Sequence, residues 1–386
     1  MKLLFVAPYR DFSGFSLVSR NLLKTFIQSD IDVVTRAIKY DQLDNDKQNM
    51  DFSWLKPYEE KNLLNIDMML QIVTSNIEAT IKPGICNGLY TFLETDRIQQ
   101  SWAMKANEFD FLMVACKANA EALVRSGVTK PILTCPPPCD IDVYNKVYEP
   151  YKIQGAENRT VFYNICQLST KKGIDTLLRA YYAAFVDRPN EVLLVLKTYL
   201  SMANRNNANE LEQVKQFINR VWQGCRIPVQ QRPPVLPILG TFSEEGIHQL
   251  HTRGDVYVCS SRGEGWTIPA FDSLGHGKIL ISNNFGGLQT FVNNDVALVY
   301  GGCVTCCYDS PHPDPELYTG MEKWFEPSVA ELSSLMRATH LLRIGNISGQ
   351  LNEANQKEWA SILQRQINAK LMVERFDYRK VWPIIV

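Results

Sequence analysis

Twice along this 386-residue chain, short apolar runs alternate with segments of helical period, and that pattern limits the fold more than any other feature. Residues 3–8, 31–37, 68–73, 85–92, 111–116 and 131–135 read as strands in the first third. After Pro150 the series restarts at 160–165, 192–197, 235–239, 256–259 and 278–282. Apolar runs that do not alternate suit strands covered on both faces, as in parallel sheets. Between them, Ile174, Leu177, Leu178, Tyr181, Tyr182 and Phe185 fall on one helix face. Ser328 with Glu331 forms a capping box for a helix through Leu342, and residues 352–370 read as another helix. The prediction is an α/β protein: two doubly wound, Rossmann-like domains facing each other across a cleft.

The boundary between the halves is visible too. Pro136, Pro137 and Pro138 remove three backbone donors and force extended chain. We place a linker over residues 137–155, a first domain at 1–145 and a second domain at 150–370. The terminal stretch 371–386 carries Phe376, Tyr378 and Trp382 and is expected to pack back on the first domain as a helix. Residues 201–209 read as a loop, and no internal repeat is found. With 40 basic against 41 acidic side chains, the chain is not built to coat nucleic acid, although a local basic cleft is compatible with it. No apolar run reaches the ~18 residues of a membrane span. The first run stops at Pro8, followed by Arg10 and Asp11, as in a buried strand rather than a signal peptide. Ten unevenly spaced cysteines fit a reduced, cytoplasmic protein.

The segment that carries chemistry is Arg262-Gly263-Glu264-Gly265-Trp266-Thr267-Ile268-Pro269-Ala270-Phe271-Asp272, directly after a strand. A glycine-flanked loop that leads into a helix offers free amides at a positive dipole end, which suits a phosphate. Glu264 and Asp272 add two carboxylates that can accept from hydroxyls. Together they describe a site for a polyol joined to a phosphate. Three other signals carry less. Cys303, Cys306 and Cys307 near His312 lack a second paired half, so a zinc site is not expected. His276 is read as a helix cap and not a base. Asp30-Ile31-Asp32 and Asp140-Ile141-Asp142 imitate metal-binding pairs, but neither lies at the inferred loop.

Ser261-Arg262-Gly263-Glu264-Gly265-Trp266-x-x-Pro269, closing with Asn284-Phe285-Gly286-Gly287, resembles the donor site of retaining GT-B glycosyltransferases of family 4 (glycosyl transferases group 1). The family's Glu-x7-Glu signature stands here as Glu264-x7-Asp272. Gln167 to Gly173 resembles its phosphate-binding Arg-Leu-x-x-x-Lys-Gly element. Phe92 to Arg97 with Ser101-Trp102, Arg125 to Val128, Pro136 to Asn145, and Tyr318 to Glu331 fall in the family's order, so the resemblance spans about residues 1–345. Trp-Phe-Glu-Pro within the last block reads as the approach to a late helix.

The resemblance implies sugar transfer, with retention, from a nucleotide-sugar substrate. The donor would be a UDP- or GDP-sugar, with no obligatory cofactor and no metal. Glu264 would hold sugar hydroxyls, the amides of Gly265, Trp266, Thr267 and Ile268 would meet sugar and diphosphate, and Asp272 would accept from the ribose. Lys172 would neutralise the leaving diphosphate. Arg262 and Gly263 belong to the same loop, and Gly286 and Gly287 would let backbone approach the donor. On the acceptor side Gly14 opens a strand-to-helix turn, and Glu94 and Asp96 are expected to shape the catalytic cleft, with a solvated helix start as the alternative. Three departures stand out. Asp272 is one methylene short, Gln167 replaces a phosphate-binding arginine (Lys197 or Lys171 being candidate substitutes), and no acid follows Gly287. The acceptor is a glycan, a lipid-linked glycan, a protein or a modified nucleobase, so nucleic acid enters only as acceptor. The alternative is a non-catalytic relative that binds sugar or nucleotide as a partner subunit. Oligomeric state is left open.

Overall fold

The structure, a computed structural model, describes residues 1–11, 13–29, 31–38, 51–73, 79–200, 209–307 and 318–385, with backbone alone for 382–385. Residues 201–208, His312, Asp30 and the Trp382 side chain, which figure in the readings above, lie outside what is described.

The first sheet holds β1 (Lys2–Ala7), β2 (Asp32–Ala37), β3 (Met68–Ile72), β4 (Cys86–Thr91), β5 (Phe111–Val114) and β6 (Ile132–Thr134). All its pairings are parallel, in the order β2-β1-β3-β4-β5-β6. The second holds β7 (Thr160–Gln167), β8 (Val192–Tyr199), β9 (Val235–Ile238), β10 (Val256–Cys259), β11 (Ile279–Ser282) and β12 (Leu298–Val299), again all parallel, as β12-β11-β10-β7-β8-β9. Strand order reverses direction between β1 and β3 in one sheet and between β7 and β10 in the other. In open α/β sheets ligands bind beyond the carboxyl ends of the strands at such points.

Helices cover both faces: α1 (Gly14–Ile27), α2 (Lys56–Glu59), α3 (Gln100–Ala106) and α4 (Lys117–Arg125) in the first half. The linker holds α5 (Asp142–Asn145). The second half adds α6 (Ile174–Phe185), α7 (Glu210–Gly224), α8 (Glu244–Arg253), α9 (Ile268–Gly275), α10 (Val329–Ser348), α11 (Glu353–Val373) and α12 (Tyr378–Ile385). The apolar face predicted for 174–185 is fully buried. Ser328 caps α10 by accepting from the Glu331 amide, while the Glu331 carboxylate accepts from the Gly301 amide.

Outside the two sheets the cysteine-rich segment forms a hairpin strand: β13 (Gly302–Cys306) pairs antiparallel with β14 (Lys323–Pro327), so Trp-Phe-Glu-Pro approaches α10 as a strand. One expectation is corrected: the terminal aromatics divide between the domains. Tyr378 lies under the Lys24 ammonium of α1, with its carbonyl accepting from Thr25. Phe376 instead joins Trp266 and Phe271 of the second domain, ring centroids 5.4 Å from each. The chain between them is pinned to the linker, Cys139 N–H donating to Phe376 O and Tyr378 N–H to Cys139 O.

Candidate functional site

The loops after β7 and β10 meet at the switch point of the second sheet and place their charged side chains together. After β7 a single helical turn, Thr170–Lys172, ends at Gly173 in the left-handed region (φ +60°). A Cβ there would lie 2.1 Å from Ser260 O, so only glycine lets this turn pack on the start of the β10 loop. Lys172 Nζ thereby lies 2.5 Å from Glu264 Oε1, which also accepts from Ser261 Oγ at 2.6 Å. Lys171 reaches across to the first domain, its Nζ 2.6 Å from Glu94 Oε1, and the other Glu94 oxygen accepts from Tyr318 at 2.7 Å.

Two lysines and two glutamates thus alternate in a largely buried cluster that bridges the domains. Burial alone would push the Glu94 carboxyl up, but Lys171, Lys172 and the hydrogen bonds outweigh it and hold it down at about 2. For Lys172 burial disfavours the ammonium, and Glu264 and Glu94 more than offset it, so its pKa is raised. Glu94 and Lys172 are therefore both charged at neutral pH.

Backbone approach across the cleft is just as close. A Cβ on Gly263 would fall 2.1 Å from Glu94 O, and one on Gly265 would fall 2.8 Å from Phe92 Cβ. Gly287 lies against Gly265 O, and the Gly287 amide donates to Glu264 O at 2.8 Å. Gly286 takes φ +61° beside the same carbonyl. Gly14, at the start of α1, faces the Ile268 side chain. Thr267 caps α9 at φ +69°, an outlier for a β-branched residue. Among the described residues no hydrogen bond takes up the amides of Gly265, Trp266, Thr267 and Ile268.

Other predicted site residues face elsewhere. Arg262 is buried with its guanidinium shared between Asp175, Glu326, Thr176 and the Thr170 carbonyl, so it braces the loop from within. Trp266 is a core residue, packed on Phe271, Phe291 and Phe376. Asp96 accepts from the Lys323 amide and from Arg97, which ties the first domain to β14. Lys197 donates to Gly240 O and lies over the Phe242 ring, while Gln167 donates to Leu200 O. Asp272 is buried and accepts from Tyr144 in the linker helix at 2.6 Å. Burial raises it to about 7, against which the Tyr144 hydrogen bond works. Ser261 and Tyr318 were not singled out from sequence. Tyr318 lies 224 residues from its partner Glu94, beyond any local motif.

Behind Asp272 sits a histidine cluster. His248 Nδ1 and His276 Nε2 are 2.9 Å apart, His251 stacks on His276, and Tyr163 Oη lies 2.9 Å from His251 Nδ1. His276 is the C-cap residue of α9, as expected. Burial pushes His248 down to about 4, His276 to about 3 and His251 well below 6.5. Neutral in the fold but protonated when unfolded, these groups give stability that is present above pH 6.5 and lost as pH falls through their folded values. Asp272 works the other way: its contribution is full below 3.8 and lost as pH rises through about 7. Three groups against one leave acid destabilisation dominant between pH 6.5 and 4. Tm is expected to fall by more than about 5 °C from pH 7 to pH 5, less so in His276→Asn. Equal Tm values at the two pHs would contradict the buried neutral cluster.

No protein-family description matches the sequence, and no curated protein matches it either. Solved structures do resemble it. An α,α-trehalose-phosphate synthase (UDP-forming) from Burkholderia xenovorans, in complex with glucose-6-phosphate, aligns over 99% of this chain and 98% of its own, with 11% identity and TM-score 0.61. Sucrose-phosphate synthase from Thermosynechococcus elongatus aligns over 99% and 96%, with 13% identity and TM-score 0.61. S. aureus TarM, in complex with fondaparinux, α-GlcNAc-glycerol and UDP, aligns over 77% of this chain at 11% identity and TM-score 0.50, and the alignment spans half the length of TarM. At these identities the likeness is one of fold, and the fold is the GT-B arrangement of two Rossmann-like domains across a cleft.

Proposed function

We propose that this chain is a retaining glycosyltransferase that moves a sugar from a UDP- or GDP-sugar to a hydroxyl-bearing acceptor. One observation carries the reading: Lys172 and Glu264 are brought together at the switch point of the second sheet, beside a loop whose amides have no partner among the described residues. The fold neighbours whose descriptions mention UDP support that donor class. In transfer, the bond from the anomeric carbon to the diphosphate oxygen breaks and the acceptor oxygen takes its place with configuration kept, its hydroxyl proton passing to the leaving diphosphate. Negative charge grows on the leaving diphosphate, and a preorganised cation there favours the transition state over the ground state. Lys172 is that cation. Without donor, Glu264 holds it; with donor, the phosphate takes the ammonium and Glu264 turns to sugar hydroxyls. Asp272, held by Tyr144, meets the ribose by sharing that bond, so its contribution is expected to be smaller than the family pattern implies.

Exchanging Glu264 for Gln removes the carboxylate that competes with phosphate for Lys172. Nucleoside diphosphate affinity is expected to stay equal or tighten, while turnover falls more than about tenfold. A parallel loss of diphosphate affinity would give Glu264 a purely structural role. The charge needed at the diphosphate comes from Lys172 and the α9 amides, so EDTA is expected to leave turnover within about twofold. Abolition by EDTA and rescue by manganese or magnesium would sink that assignment.

A further inference from the structure

At the opposite edge of the second sheet, beneath the amino ends of β10 and β11, lies a cavity of about 270 Å³. It is lined by Asp255, Lys278, Arg343, Ile347, Trp359 and Gln366, among others. The donor loop leaves β10 from its far end, four residues away, or about 13 Å along the strand. The two sites are therefore separate.

The charges around this cavity do not balance. Two of its lining residues, Lys278 and Arg343, are cations and one, Asp255, is an acid, with Arg253 and Lys370 as further cations near Lys278. That acid is already engaged: one Asp255 oxygen accepts from Arg343 at 2.8 Å and the other from the Val161 amide at 2.8 Å. Lys278 is itself half-buried and donates to the Thr252 carbonyl, which brings no negative charge. Lys370 arches over Gly277, and Gln366 holds the Gly277 carbonyl at 2.6 Å. Burial and the neighbouring cations press Lys278 towards losing its proton, a cost that an anion in the cavity relieves. Clustered cations of this kind make charge-assisted bonds to phosphate oxygens. Trp359 and Ile347 add an apolar wall beyond them. The volume lies just under the ~300 Å³ at which small-ligand sites begin, enough for a phosphate carrying one ring.

We propose that this cavity binds a phosphomonoester of a small ring compound, its phosphate held by Lys278, Lys370 and Arg343 and its ring against Trp359. The inference does not depend on the reaction at the donor loop.

Calorimetric titration with inorganic phosphate, a hexose 6-phosphate and a nucleoside 5′-monophosphate, each with and without excess UDP, tests it. Saturable binding of at least one ester is expected, tighter than inorganic phosphate and not displaced by UDP. Lys278→Met and the surface change Lys370→Gln should each weaken it at least about fivefold. If Lys278→Met does not fold, Lys370→Gln decides alone. Absence of saturation by any ester, displacement by UDP, binding indifferent to Lys370→Gln, or inorganic phosphate binding as tightly as the esters would each overturn the proposal.

Discussion

Lys172→Ala is expected to lower turnover ten- to a hundredfold, taking a charge-assisted contact at about 1.5–3 kcal/mol. The cost arises in two places. The leaving diphosphate loses its cation, and in the free protein Glu264 keeps, among the described residues, only Ser261 as a close donor in a nearly closed site. Breaking a buried pair from one side costs about 3 kcal/mol or more, whereas removing both partners costs much less. The double change Lys172→Ala with Glu264→Gln should thus recover most of the lost stability and none of the activity. Lys172→Arg should keep partial activity, because it retains charge but not the ammonium's geometry. Lys172→Ala with unchanged turnover would remove the lysine from the reaction.

Deleting residues 371–386 should lower Tm by more than about 10 °C in one transition that includes both domains. The segment removes buried Val373 and Val381 and takes Phe376 from the Trp266–Phe271 pair. It also breaks the backbone bridge at Cys139 and the Arg379–Asp142 ion pair on the linker. Because Phe376 belongs to the second domain and Tyr378 to the first, the loss reaches both. Phe376→Ala alone separates the effects: truncating that ring loosens the aromatic cluster under the donor loop by about 2 kcal/mol and leaves the α1 contact intact. A truncated chain that melts like the full one would show that the tail is not part of either core.

The fold was legible because a parallel strand buried on both faces announces itself locally. The runs at 192–197 and 256–259 became β8 and β10, and their order followed from strand–helix alternation. The hairpin of β13 and β14 was not, since β13 is mostly exposed and carries no apolar signal. At the site, local motifs single out Glu264 and Lys172, which the fold brings together, but they do not reveal what holds the neighbouring side chains. Arg262 sits in a phosphate-binding pattern, yet Asp175 and Glu326, 87 and 64 residues away, claim its guanidinium. Trp266 is drawn inward by Phe291 and Phe376, and the Asp272 carboxylate by Tyr144. Each of these is a long-range partner that no short window of sequence contains.

The central claim is that the Lys172–Glu264 site accepts an activated nucleotide sugar. It is tested most directly by measuring nucleoside diphosphate release from a panel of UDP- and GDP-sugars, with wild type and Lys172→Ala side by side. The account predicts release from at least one donor, faster with acceptor extract, and at least about tenfold slower in the variant. Release from none of them, or equal release by both proteins, would contradict it.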